Sequence, residues 1–269
     1  MTILQSVLLG ILQGIAEFLP ISSSGHLAIV QKLFGLEELP LIFDVMLHLA
    51  TLLAVVLFFW KKIAALFGAL FRWIGKKAES TDVPLQKMIV AVILGTIVTG
   101  VLGIVVEKLL PEMPLKVICA GFLVTSVLLI TSGMYGARLE NEKGTDVQVS
   151  GKKGLFVGLA QGLGTLPGIS RSGITISASL FAGIDRTTAG EFSFILSIPA
   201  ILGAFILEAK DLGEVASSVG ALPIVCGCAA AFISGLLALK FLMKLVNKGK
   251  LGWFACYLIP AGILGIIFL

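Results

Sequence analysis

A polar stretch near the N-terminus recurs in the second half of the chain, and this repetition constrains the fold more than any other feature. Residues 13–26 read QGIAEFLPISSSGH, and residues 161–174, which lie 148 positions later without a gap, read QGLGTLPGISRSGI. The identical pairs are Gln13/Gln161, Gly14/Gly162, Ile21/Ile169, Ser22/Ser170, Ser24/Ser172 and Gly25/Gly173, and Gly10/Gly158 extends the match backwards. The chain is therefore built from two related units.

The composition places both units in a membrane. Mean hydropathy is +1.06, and 57% of the 269 residues are hydrophobic while only 13% are charged. So few polar residues cannot cover a soluble protein of this length. The net charge of +4 comes from cations in connecting loops, which favours membrane topology over nucleic-acid binding. The four cysteines lie in apolar runs without the spacing of a zinc or redox site.

Apolar segments long enough to cross about 30 Å of hydrocarbon occur six times. These predicted spans are 44–60, 88–106, 117–137, 191–208, 223–243 and 252–269. A shorter, broken pair precedes each set of three, at about 1–19 with 26–35 and at about 154–166 with 172–183. Each member of such a pair is too short to cross the bilayer, which predicts a re-entrant segment. The irregular backbone of such a segment is tolerated where it lines a cavity. We expect an all-α polytopic membrane protein with six transmembrane spans and two re-entrant helix pairs.

The repeat also predicts orientation. Repeat 1 would cover about 1–137, repeat 2 about 154–269 and a linker 138–153, all within a single membrane domain. Three spans is an odd number, so two joined units must be inverted relative to one another. This topology puts fourteen Lys and Arg residues on one side and only Lys32, Lys108, Lys116 and Lys210 on the other. The basic side and the linker would then be cytoplasmic, with both termini and the first re-entrant pair facing outward.

The first polar stretch contains acid and amide groups at helical spacing. Gln13 and Glu17 are four residues apart and would share one helix face. An intramembrane carboxylate costs about 2.5–3.5 kcal/mol on insertion scales, so it needs a partner or a role. Glu17 is accordingly a candidate base or metal ligand. The alternative is a protonated group in a helix-packing network.

A serine loop follows directly. Ser22, Ser23, Ser24 and Gly25 would supply hydroxyls and backbone N–H groups at a helix start, where anions bind readily. The same letters also suit an ordinary N-cap. His26 lies three residues after Ser23, about one helical turn away, which is within reach for proton transfer.

The second copy carries an arginine in place of Ser23. Arg171 is flanked by Ser170 and Ser172 and is followed by Thr175. A guanidinium at membrane depth keeps its proton and needs an anion. Glu17 could be that anion in a structural ion pair. Phosphate is favoured because the surrounding groups are all donors.

Two more polar residues lie inside predicted spans. His48 stands alone in an apolar segment, which is typical of a hydrogen-bonded packing histidine. Glu191 begins a span, where it either supports the site or marks a helix start. Both interpretations of Glu191 stay open at this point.

With these motifs the sequence resembles the undecaprenyl-diphosphate phosphatase family, the bacitracin-resistance type of bacterial membrane phosphatase. The first family motif is similar to Gln13, Glu17, Pro20, Ser22, Ser23, Ser24, Gly25 and His26, and the second, P-G-x-S-R-S-x-x-T, to Pro167, Gly168, Ser170, Arg171, Ser172 and Thr175. The match covers nearly the whole chain. The resemblance implies hydrolysis of undecaprenyl diphosphate to the monophosphate and phosphate, at a site facing outward from the bacterial inner membrane.

The resemblance leads to expectations about mechanism and partners. Ser23 would attack the terminal phosphorus, and Glu17 and His26 would handle protons. The transferring phosphoryl group would be held by Arg171 with Ser170, Ser172 and Thr175, and the substrate phosphate would also be bound by Ser22, Ser24 and Gly25. A phospho-histidine at His26 and direct attack by water stay open as alternatives. The expected partners are a polyprenyl diphosphate lipid and the bilayer, with no nucleic acid, and a homodimer is left open.

The cofactor expectation depends on position 13. The resemblance leaves Mg²⁺ or Ca²⁺ open and implies no organic cofactor. Because an amide, Gln13, replaces the first motif acid, any metal binding would be weaker or would rest on Glu17 alone. The rival class is an alternating-access transporter or flippase for a phosphorylated lipid or anion, since inverted repeats with broken helices are typical of such proteins.

Overall fold

The fold is helical throughout the ranges that the computed structural model describes, which are 1–36, 39–110, 113–142, 144–209 and 219–269. Helix accounts for 83% of the structure, and no strand occurs within these ranges. Lys143 and Lys210, which entered the charge count, lie outside the described residues. The α-helices of these ranges are α1 (Ile3–Phe18), α2 (Ser23–Leu33), α3 (Leu41–Phe58), α4 (Trp60–Ile74), α5 (Val83–Leu109), α6 (Leu115–Glu142), α7 (Gly151–Leu163), α8 (Arg171–Phe181), α9 (Arg186–Glu208), α10 (Ala221–Asn247) and α11 (Ala255–Phe268).

Six segments in the described ranges are long and apolar enough to cross a membrane. They are Leu41–Phe58, Ser80–Val106, Leu115–Asn141, Arg186–Glu208, Ala221–Asn247 and Leu251–Phe268. Their number and positions confirm the six predicted spans. The helix bounds differ at some ends: α6 continues to Glu142 and so occupies the first part of the predicted linker 138–153.

The sequence between the first two spans contains a helix that is not among the predicted elements. The amphipathic helix α4 has 15 residues, a length of roughly 22 Å, which is too short to cross the bilayer. Leu66 and Ala69 are buried, whereas Phe67 and Phe71 are exposed. Arg72 donates its Nε–H to Asp82 Oδ2 at 2.9 Å, which ties α4 to the start of α5.

The first helix of each half packs on a long helix of the other half. The α1 helix lies along α10, and α7 lies along α5. The approach is close, since a Cβ at Gly10 would lie 2.1 Å from the Gly227 carbonyl oxygen and one at Gly158 would lie 2.5 Å from Gly95 Cα. These contacts hold the segment after α1 and the segment after α7 in the interior of the bundle.

The ends of the two broken pairs contact each other. The hydroxyl of Ser172, in the first turn of α8, donates to the carbonyl of Phe18, the last residue of α1, at 3.1 Å. Phe18 is buried and its ring packs edge-on against Phe194 of α9, with centroids 5.6 Å apart. The fold therefore brings the two polar stretches, 148 positions apart in sequence, to one place.

Candidate active site

An ion pair between the two polar stretches lies at the centre of the site. Glu17, at the end of α1, accepts through Oε1 from Nη2 of Arg171, at the start of α8. The Glu17 side chain is 4% exposed and that of Arg171 is 21% exposed. Neither charge has free access to water. Glu17 therefore requires Arg171 or another cation, and Arg171 requires Glu17 or an anionic ligand.

The second oxygen of Glu17 is surrounded by further donors. Ser23 donates its hydroxyl to Oε2 at 2.7 Å, and Gln13 donates its amide Nε2–H to the same atom at 3.1 Å. The Nε2 atom of His48, on α3, lies 3.4 Å from Oε2. A carboxylate accepting from Ser23 is placed to take the hydroxyl proton, so this contact satisfies the geometry of a base and its nucleophile.

The first serine loop begins α2. Ser22 is the N-cap and adopts φ +73°, a conformation uncommon for a residue with a side chain, and its hydroxyl accepts from the Gly25 N–H at 3.4 Å. A Cβ at Gly25 would lie 2.6 Å from the ring of Phe122, so this glycine is required by helix packing. Ser23 and Ser24 are left lining the cavity.

The second serine loop begins α8 in the same way. Ser170 is its N-cap and accepts from the Gly173 N–H at 3.1 Å, while the Ser170 N–H donates to Thr125 on α6 at 3.0 Å. The Ser170 and Ser172 hydroxyls are 3.3 Å apart. Two helix N-termini, those of α2 and α8, thus begin beside the ion pair, and helix N-termini favour anions.

A cavity of about 400 Å³ adjoins the ion pair. Its polar end is formed by Glu17, Ser23, Ser24, His48, Thr99, Gln161, Thr165, Ser170 and Arg171. From there it continues between α3 and α9, past Leu41, Val45, Ile201, Ala204 and Leu207 to Glu208. The cavity therefore combines a donor-rich end with an apolar channel between two helices, a combination typical of ligand sites.

Seven of the predicted site residues do not line this cavity, and three of them form contacts of their own. The His26 ring has Nδ1 2.8 Å from the Ser22 carbonyl, so Nδ1 donates, and its Nε2 is 2.7 Å from the Tyr257 hydroxyl. Thr175 donates to the Arg171 carbonyl at 2.8 Å, and its hydroxyl lies 2.5 Å from that of Ser193. Glu191 pairs with Lys62 of α4 at 3.0 Å. The cavity brings the other predicted residues together: Glu17, Ser23, Ser24, Ser170 and Arg171 line it, with Gln13, Ser22, Gly25 and Ser172 directly behind them.

His48 is the site residue that sequence reasoning missed. It was interpreted as a packing histidine, yet it lines the cavity and approaches Glu17. Its Nδ1 donates at 2.8 Å to the backbone carbonyl of Asp44, four residues earlier, and since any residue at that position offers such a carbonyl, this contact left no signal in the sequence. That spacing fixes the ring on its own helix, but only the packing of α3 against α1 reveals its second contact.

The residues around Glu17 do not fit a resident divalent cation. Mg²⁺ and Ca²⁺ need oxygen ligands with free lone pairs, whereas Glu17 faces the donors of Arg171, Ser23 and Gln13 and the His48 ring. Within the described ranges no three His, Cys, Asp or Glu residues cluster as a cation site would require. Glu17 is therefore better suited to act as a base than as a metal ligand.

Six segments long and apolar enough to cross a membrane, together with a polar cavity between the starts of α2 and α8, define a multi-pass membrane protein with an interior polar cavity. The chain belongs to the bacitracin resistance protein BacA family, whose family model matches residues 6–264. It is 49% identical over 263 residues to an undecaprenyl-diphosphatase of Treponema denticola, covering 98% of this chain and 96% of that relative. The undecaprenyl-diphosphatase of Methanobrevibacter smithii is 40% identical, over 98% of this chain and 96% of that relative. The undecaprenyl-diphosphatase of Borrelia hermsii is 36% identical, over 96% of this chain and 95% of that relative. The family expected from the two motifs is confirmed.

Proposed function

We propose that this protein hydrolyses undecaprenyl diphosphate to undecaprenyl phosphate and inorganic phosphate, and so recycles the lipid carrier for cell-wall synthesis. The relatives it resembles over their whole length are named for that activity. One structural observation carries the proposal: Ser23 donates to Glu17 at 2.7 Å while Arg171 contacts the other oxygen of the same carboxylate. A nucleophile, its base and a phosphate-binding cation therefore meet at one end of one cavity.

The reaction proceeds in two displacements. Ser23 Oγ attacks the terminal phosphorus as its proton passes to Glu17 Oε2, and the bond from that phosphorus to the bridging oxygen breaks, which releases undecaprenyl phosphate. The departing undecaprenyl phosphate takes that proton from Glu17, which restores the carboxylate. Water then attacks the phosphoserine and gives a proton to Glu17, the bond from phosphorus to Ser23 Oγ breaks, inorganic phosphate leaves, and Glu17 returns the proton to Ser23 Oγ. Catalysis rests on positioning and charge, as is general for phosphoryl transfer.

Arg171 binds the phosphoryl group that is transferred. Its guanidinium has five N–H donors, and the contact with Glu17 occupies only one end of that fork. Arg171 lines the cavity together with Ser24 and Ser170, so we propose that its remaining donors bind the phosphate oxygens. Ser172 and Thr175 support Arg171 through contacts with the Phe18 and Arg171 carbonyls, which explains the second motif without direct phosphate contacts from them.

The apolar channel between α3 and α9 receives the first isoprene units of the lipid. Its walls include Val45, Ile201 and Ala204, whose side chains match a hydrocarbon chain. A volume of about 400 Å³ holds the diphosphate and only the start of the tail, so the rest of the tail lies in the bilayer.

The two halves form an inverted repeat with its site open to the outer leaflet of the bacterial inner membrane. The reciprocal packing of α1 on α10 and of α7 on α5 supports this arrangement. So do the lengths of α2 and α8, 11 residues each or roughly 16 Å, about half of the hydrocarbon thickness. The cavity reaches the start of α3 and the end of α9, which the loop charges place outside together with both termini.

The experiment that tests this function measures inorganic phosphate released from undecaprenyl diphosphate by the purified protein in detergent, where transport is impossible. We expect release by the wild type, and a loss of about 1,000-fold or more in kcat for Ser23→Ala and Arg171→Ala. Thr131→Val, which removes an exposed hydroxyl of α6 away from the cavity, is the control and should stay active. A well-folded wild type without phosphate release would leave the transporter as the better interpretation.

A further inference from the structure

We propose that His48 is a positioning residue of this site, which donates its Nε2–H to Glu17 and so holds the carboxylate against Ser23. The inference rests on the proposed phosphatase function and assigns a role to a residue outside both family motifs. His48 lies on α3, whereas the motifs lie at the α1–α2 and α7–α8 breaks.

The hydrogen bond at Nδ1 determines which ring nitrogen faces the carboxylate. Nδ1 is 2.8 Å from the Asp44 carbonyl oxygen, which can only accept, so Nδ1 carries a hydrogen. Nε2 is then the other ring nitrogen, and it lies 3.4 Å from Glu17 Oε2, within ion-pair distance. A lone pair at Nε2 would repel the carboxylate, whereas an N–H there attracts it. The geometry points to a ring that is protonated on both nitrogens.

The surrounding charges agree with a cationic ring. The His48 ring lies against the carboxylate of Glu17, which is on α1. The helix of His48 itself contributes Asp44, whose side chain accepts from Gln31 at 2.7 Å. Glu208 lines the same cavity from α9. Arg171 is the one cation of the described residues that also contacts Glu17, and it does so at the opposite oxygen, Oε1.

The two cationic partners fix the rotation of the Glu17 carboxylate. Arg171 contacts Oε1 and His48 contacts Oε2, so partners on both oxygens prevent the carboxylate from rotating. Oε2 therefore stays 2.7 Å from the Ser23 hydroxyl. Without His48, Oε2 would keep only the donors of Gln13 and Ser23, and the carboxylate could turn toward the remaining guanidinium donors. The distance from base to nucleophile would lengthen, which slows the chemical step more than it weakens substrate binding.

Substitutions at position 48 separate this role from packing. In His48→Gln the amide nitrogen occupies the place of Nε2 and can still donate to Glu17. In His48→Asn it occupies the place of Nδ1 and can reach only the helix carbonyl, while His48→Leu provides no donor. Thr51→Val is the matched control, because Thr51 is a buried polar residue of the same helix that donates to the His48 carbonyl and does not line the cavity.

The kinetic test compares kcat and KM for phosphate release by these variants, each shown to be folded by thermal unfolding in detergent. We expect His48→Asn and His48→Leu to lose roughly 10- to 100-fold in kcat while their KM stays within about threefold of wild type. For His48→Gln and Thr51→Val we expect both kcat and KM to stay within about threefold of wild type. Wild-type kcat in His48→Asn or His48→Leu would overturn the proposal. Equal losses in His48→Gln and His48→Asn would overturn it too, because the donor would then be irrelevant.

A second readout does not depend on catalysis. The chain has two histidines, so ¹⁵N-histidine NMR of the purified protein at pH 7 gives two sets of ring signals, which His48→Gln assigns. Protons on both ring nitrogens of His48 are expected, and loss of the Nε2 proton in Glu17→Gln would confirm the pairing. A neutral ring bearing hydrogen only at Nδ1 would overturn the inference. If the wild type releases no phosphate, the proposed function fails, and this spectrum still decides the pairing.

Discussion

The guanidinium of Arg171 is paired with the carboxylate of Glu17 across the ends of α8 and α1, 154 residues apart in the chain. This pair is at once the tertiary contact between the two polar stretches and the centre of the proposed site. It joins two stretches with different polar side chains, because the first supplies Glu17 and Ser23 while the second supplies Arg171. Neither half contains a complete site.

The ion pair predicts opposite outcomes for stability and activity. Glu17→Gln or Arg171→Gln alone leaves one buried charge without its main partner, so each should lower the free energy of unfolding by about 3 kcal/mol. The double variant removes both charges and should recover more than half of that loss, whereas phosphate release should be absent from all three. Thermal unfolding in detergent gives the stability values. Additive losses in the double variant would show that the two residues are not coupled.

His26 is predicted to act through the backbone of the serine loop. Its Nδ1–H donates to the Ser22 carbonyl, and its ring stacks on Phe122 with centroids 4.8 Å apart. An asparagine amide can replace the Nδ1 donor, so His26→Asn should keep at least about tenfold more activity than His26→Ala. Tyr257→Phe, which removes only the Nε2 contact, should be near wild type. If His26→Asn were as inactive as His26→Ala, a proton-transfer role for His26 would be favoured instead.

The close helix packing predicts which glycines tolerate a methyl group. In Gly158→Ala the new Cβ would lie 2.5 Å from the backbone of Gly95, which should cost about 1–3 kcal/mol of stability through overpacking. Gly100→Ala is the control, because nothing lies within 4 Å of that Cβ. It should be neutral or stabilising by up to about 1 kcal/mol, as alanine favours helix. Equal unfolding temperatures for the two variants would contradict this packing.

The inverted topology is testable with single cysteines. In a variant with the four native cysteines replaced by alanine, Thr2→Cys should react with a membrane-impermeant maleimide on intact cells. Lys77→Cys, in the turn after α4, should react only after the cells are opened. Labelling of both positions from the same side would contradict the orientation that the loop charges predict.

Much of this architecture follows from the sequence because hydrophobic length and repetition are local signals. The six spans and the two serine helix starts were placed within a few residues. The helix α4 was missed because its cations interrupt the apolar run and its 15 residues are too few for a span. Amphipathic spacing in WKKIAALFGALFRWI was the available signal.

Contacts between distant helices were not predictable in the same way. Thr175 was expected at the phosphate, yet as the residue four positions after Arg171 it donates to that residue's carbonyl and packs on Ser193. Glu191 was left between two interpretations, and its partner Lys62 lies on the unpredicted helix. The approach of His48 to Glu17 depends on how α3 packs, which no local pattern encodes.

The site of phosphorylation after a rapid acid quench shows directly whether Ser23 is the nucleophile. The purified protein would be mixed with undecaprenyl diphosphate carrying a labelled terminal phosphate, and the quenched chain would be digested and mapped by mass spectrometry. If Ser23 is the nucleophile, the label is on Ser23 of the wild type and is absent from Ser23→Ala. Label on His26, or turnover of the substrate with no labelled protein at any time, would contradict it.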